Sequence, residues 1–90
     1  MMFEVLTIYP GALNPRMDDA IKSLAERHRG TEIGAGYGGC MDGVCGRDQQ
    51  FQFPTQMHMD SFVVALKHDA RVCSYGVRWR SRKPAKHEEV

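Results

Sequence analysis

Residues 14–30 carry a complete helix signature in the right order. Asn14 can cap, and Pro15 follows at the first helical position, where a missing N–H costs nothing. Apolar side chains then fall at Met17, Ala20, Ile21, Leu24 and Ala25, and His28 continues the series. That spacing is one face of an amphipathic helix. Asp18 and Asp19 sit near its positive end, and Arg27, His28 and Arg29 near its negative end. Gly30 suits the residue just past the last turn. The spacing predicts a helix over 15–29, and its apolar face must be buried against another layer.

The segments around it supply that layer. Residues 3–9 (Phe-Glu-Val-Leu-Thr-Ile-Tyr) are β-branched, aromatic and nearly continuous in apolarity, as in a central strand. Thr31 to Tyr37 alternates, but its glycines suit an edge better than a centre. Residues 38–47 read as a glycine-rich hairpin loop. Asp48 to Phe53 alternates cleanly, and Pro54 stops it.

Residues 55–68 allow two readings. Thr55 can cap a helix with Met59, Phe62, Val63 and Leu66 as its stripe. Ser61 to Leu66 can instead be a strand. The i, i+3, i+4, i+7 spacing and the polar run from Gln56 to Ser61 favour the helix. Arg71 to Arg80 reads as a last strand, with Cys73, Tyr75, Val77 and Trp79 on one side. The order is then β-α-β-β-α-β, the split βαβ of the ferredoxin-like class. An α+β sandwich of this kind has four antiparallel strands in the usual order 4-1-3-2, with both helices on one face. Residues 1–80 form one such domain, and 81–90 read as a flexible polar tail.

Ninety residues hold one domain with a modest core, worth about 5–10 kcal/mol of net stability. No apolar run is long enough to cross a membrane, and the N-terminus lacks the basic start of a secretory signal. Three cysteines, an odd and low count, suggest a reducing compartment and hence the cytoplasm. Cys40 and Cys45 are not spaced as metal ligands, although the two thiols could pair facultatively. No metal or cofactor is expected. No catalytic residue is assigned either: His58 and Asp60 are the one acid–base pair to consider, and nothing selects them.

Charge is distributed unevenly. Residues 1–70 carry six Lys/Arg against nine Asp/Glu; residues 71–90 carry six against two. The alternation assigns faces. If Phe51 and Phe53 meet the helices, Gln50 and Gln52 lie on the uncovered sheet face, with Glu4, Leu6 and Ile8 of the first strand and Arg78 and Arg80 of the last. Leu6 and Ile8 exposed together would suit a partner or a dimer, unless the C-terminal tail folds over them. Arg78, Arg80, Arg82, Lys83 and Lys86 beside Trp79 would suit nucleic-acid phosphates, an acidic protein patch or simply water. The RNA-recognition motif shares the element order, but its glycine-aromatic run is missing, since Asp48, Gln49 and Gln50 occupy that place.

Three functions follow as expectations. The first is a non-enzymatic protein-binding module acting through the open face, an adaptor or inhibitor of the size that phages encode, with a second copy among its partners. The second is a nucleic-acid binder using the basic last strand and tail. The third is a small-molecule enzyme or sensor with a site between subunits. The site residues expected for the first two are Leu6, Ile8, Gln50, Gln52, Arg78, Arg80, Arg82, Lys83 and Lys86. None of the three calls for a membrane.

Overall fold

A computed structural model describes residues 2–84. The elements run β1 (Phe3–Pro10), α1 (Pro15–Arg27), β2 (Thr31–Met41), β3 (Val44–Phe53), α2 (Gln56–His68), α3 (Ala70–Ser74) and β4 (Arg78–Arg82). The sheet is antiparallel with the order β2-β3-β1-β4, and β1 and β3 are its central strands. Helices pack on one face, which makes the chain an α+β sandwich of ferredoxin-like topology.

Val5, Tyr9, Phe51 and Phe53 bring the sheet to the helices. Met17, Ile21, Leu24 and Ala25 of α1 meet them, with Met59, Phe62 and Leu66 of α2. Phe62 stacks on Phe53 with ring centroids 5.0 Å apart and sets its edge to Phe51 at 5.6 Å. These contacts decide residues 56–68 in favour of helix. Val64, which a strand would have buried, is half exposed on the outer side.

The end of α1 differs in detail from expectation. Arg29, not Gly30, takes the left-handed position, with φ 66°. The Arg29 N–H donates to Glu26 O and the Gly30 N–H to Ala25 O, closing the terminal carbonyls. Gly30 is needed for space instead. A Cβ there would lie 2.5 Å from the Phe53 ring.

Two further expectations are corrected. Residues 71–77 are not strand. Asp69 caps Arg71 N and Val72 N, and residues 70–74 turn as a short helix. Val72 is buried, Cys73 is exposed, and Gly76 at φ 81° turns the chain into β4. Tyr75 therefore reaches the core from a turn, setting its ring edge-on to Tyr9 at 5.3 Å. Ser81 and Arg82, assigned to a tail, belong to β4.

Residues 38–47 are not a loop either. β2 and β3 continue to a two-residue turn at Asp42 and Gly43, both with positive φ, as a tight hairpin of this twist requires. Cys40 pairs with Cys45 across this ladder, and the two are joined by a disulfide. The odd cysteine count thus reflects one bridge and one free thiol, Cys73.

Candidate functional site

The register lines up three rows across the uncovered face. Thr31, Gln52, Glu4 and Arg82 form the first; Gly34, Gln50, Leu6 and Arg80 the second; Gly36, Asp48, Ile8 and Arg78 the third. Each row begins on a small residue of β2 and ends on an arginine of β4. Alternation along β1, β3 and β4 puts these side chains opposite Val5, Phe51 and Trp79, which face the helices. Gln50 Nε2 donates to Glu4 Oε1 at 2.6 Å, which braces the middle of the face. Glu4, Leu6, Gln50, Arg80 and Arg82 line a small concavity of about 190 Å³.

Seven of the nine expected residues thus share one face: Leu6, Ile8, Gln50, Gln52, Arg78, Arg80 and Arg82. Lys83 follows β4 and is exposed. Lys86 lies outside the described residues. One expected property is corrected. Ile8 is 2% exposed and Leu6 only half-buried, so they do not form an open apolar patch. The β2–β3 hairpin reaches over this face. Its turn residue Asp42 pairs with Arg80 of β4 at 3.6 Å, which requires the hairpin to curl back over the face. Met41 lies on the same side as Asp48 and Gln50 and is buried, although it belongs to no part of the helix-side core. Both ends of the Asp42–Arg80 pair are exposed, so it contributes little to stability and instead marks where the tip rests.

Sequence reasoning missed a polar cluster on the helix side. Tyr9 is fully buried. Its hydroxyl donates to Asp18 Oδ1 at 2.5 Å and accepts from Asn14 N at 3.0 Å. Arg47 pairs with the other Asp18 oxygen at 3.1 Å and lies over the Tyr37 ring. Gln49, also buried, donates to Asp18 O and Glu32 Oε2 while its own Oε1 has no partner among the described residues. Burial, with the Asp18 hydrogen bond adding to it, pushes the Tyr9 hydroxyl up to about 12. The unfolded chain releases that proton near 10.0, the ordinary value. Folding therefore favours the protonated form, and stability should fall as pH rises from 10 towards 12. Ultraviolet titration of tyrosinate should show a late step that Tyr9→Phe removes. A late step that survives Tyr9→Phe, or no late step at all, would contradict this arrangement.

His58 and Asp60 do not act together. His58 Nδ1 is 2.7 Å from Thr55 Oγ1 at the α2 cap, and residues two apart on a helix do not face each other. Among the described residues, no group of three or more His, Cys, Asp or Glu is placed to hold a metal. No helix among them is long and apolar enough to cross a membrane.

No protein-family model matches this sequence, and no curated protein matches it. Among solved structures, the chain is similar to a nipsnap family protein with unknown function from Agrobacterium tumefaciens. The identity is 16% and the TM-score 0.49, with 93% of this chain and 88% of that one covered. A second crystal structure from the same organism gives 16% identity and a TM-score of 0.46, covering 96% and 95%. The likeness is one of backbone path, and it brings no ligand, partner or activity to this chain.

Proposed function

We propose that this chain is a small non-enzymatic binding module, an adaptor or inhibitor, whose working surface is the sheet face opposite the helices. The observation that carries the proposal is the row pattern. Leu6 stands between the braced Gln50–Glu4 pair and the three arginines of β4, on a face that no helix covers. Leu6 is half-buried at the centre of that face, between the Gln50 amide and the Arg80 guanidinium. β4 is also an edge strand of five residues, so its outer backbone groups have no neighbouring strand among the described residues. A protein segment laid along it could add a strand while its acidic side chains meet Arg78, Arg80 and Arg82. A second copy of this chain is one such partner.

The test is capture from native-host extract with wild type and with an Arg78→Glu, Arg80→Glu variant, alongside sedimentation of each. The variant should lose partners that wild type retains, and any self-association should weaken. Identical partners and identical sedimentation would show β4 to be a solvated edge. A nucleic-acid reading is supported by the regular spacing of Arg78, Arg80 and Arg82 on one side of β4. It requires oligonucleotide binding that weakens as salt rises. The cytoplasmic setting proposed from the cysteine count fits a disulfide that forms and breaks rather than one that is permanent.

A further inference from the structure

The hairpin that covers the open face is poorly equipped to hold itself in place. Six of the nine glycines in the chain, Gly34, Gly36, Gly38, Gly39, Gly43 and Gly46, fall within it. Glycine contributes no cross-strand side-chain contact and loses the most backbone freedom on ordering. The ladder is also irregular between Glu32 and Gly34 and between Tyr37 and Gly39. Beyond Gly46, β3 has no pairing with β1, so the tip is a two-stranded ribbon, which is marginal by itself in water. The Cys40–Cys45 bond closes that ribbon two residues from its turn.

Alternation also separates the two sides of the tip. Met41 and Val44 lie on the open-face side, where Met41 is buried; Cys40 and Cys45 lie on the other side and are both exposed. The cross-link is therefore reachable by an attacking thiolate, while the adjacent Met41 is buried on the open-face side. Exposed disulfides are the labile ones, since access to sulfur limits exchange.

We infer that Cys40–Cys45 is a reversible redox site whose substrate is an external dithiol, and that its reduction releases the hairpin tip from the open face. A thiolate of the dithiol attacks one sulfur of the pair, breaking the Cys40–Cys45 bond and forming a mixed disulfide. The second thiolate of the dithiol then displaces the protein sulfur. Both cysteines end as thiols and the dithiol as a disulfide, with two electrons and two protons passing to the protein. Without the bond, the glycine-rich ribbon frays, Met41 leaves its buried place on the open-face side, and Asp42 leaves Arg80. Arg80, already exposed, then loses its paired carboxylate, and the face beneath the tip opens to a partner. This last consequence rests on the open-face reading; the redox site itself does not.

The experiment follows the full-length chain, air-oxidised or treated with dithiothreitol, by thiol counting and by amide hydrogen exchange. The oxidised chain should show one reactive thiol, Cys73, and the reduced chain three. Exchange at residues 40–45 should accelerate by about thirtyfold on reduction, while the amides of α1 and α2 keep their rates. A Cys40→Ser, Cys45→Ser chain should exchange like reduced wild type with or without dithiothreitol. Reduction that occurs only when the whole chain unfolds, or that leaves exchange at 40–45 unchanged, would overturn the inference. Partner capture in both redox states then separates the two proposals. Stronger capture by the reduced chain supports both. Faster hairpin exchange with no capture in either state supports the redox site and overturns the open-face reading.

Discussion

A Gly46→Ala chain is expected to lose about 3 kcal/mol of stability, with most of the loss at the junction of β1, β3 and the hairpin. A Cβ at residue 46 would lie 2.3 Å from the carbonyl oxygen of Tyr9 and 3.1 Å from Gly11 N and Pro10 Cα. All three are backbone atoms of the neighbouring strand or the turn that follows it. No side chain can swing away, so β1 and β3 must separate where the hairpin begins to curl. Tyr9 would move with them, disturbing its bond to Asp18. Gly36→Ala is the matched control. Its Cβ would sit 3.5 Å from the Asp48 carboxylate oxygens, an ordinary contact, and alanine is easier to order than glycine. That variant should stay within about 0.5 kcal/mol of wild type. Urea denaturation of the two variants side by side settles the matter. Equal midpoints would mean that the close approach at Gly46 is not a constraint.

The second large effect is expected at Phe62. It is fully buried and joins α2 to both aromatic residues of β3. Truncation to alanine removes the transferred ring and leaves a cavity between helix and sheet, at a cost of about 3–5 kcal/mol. For a domain of this size that is a large share of the total. The melting midpoint should drop by about 12 °C or more. Val64→Ala, on the exposed side of the same helix, should leave it nearly unchanged. Little loss in either variant would mean that α2 is held by its own helicity, which alanine favours, rather than by its contact with Phe51 and Phe53.

How much of this was legible in the sequence depends on the range of the interactions. Asn14-Pro15 and the stripe behind it were readable because a cap and a 3.6-residue period are local properties of α1. The faces of β1, β3 and β4 were readable because a strand's period of two needs no knowledge of its neighbours. Residues 71–77 misled for the same reason. Cys73, Tyr75, Val77 and Trp79 alternate, but the chain turns at Gly76 and only Trp79 of the four is in a strand. A five-residue helix is too short to show a period, and Asp69 as cap is its single local signal.

The disulfide was legible as a facultative pairing, and the hairpin pattern sharpens it. Asp42-Gly43 is a strong hairpin pair, and Cys40 and Cys45 stand symmetrically two residues to either side of it. Centring the hairpin there places the cysteines opposite each other. What no local pattern could give is the curl that brings Asp42 to Arg80. That depends on where Gly46 meets the end of β1, a contact between segments far apart in sequence.

Once Cys40 and Cys45 are joined, Cys73 is left as the single reactive sulfur, exposed on α3 in the helical layer. The molecule thus carries its own attachment point behind the sheet. A fluorophore or spin label fixed there would report tumbling and assembly while the arginine-bearing side remains bare. The same atom marks redox history. A chain that accepts one label has its bridge closed, and a chain that accepts three has it open.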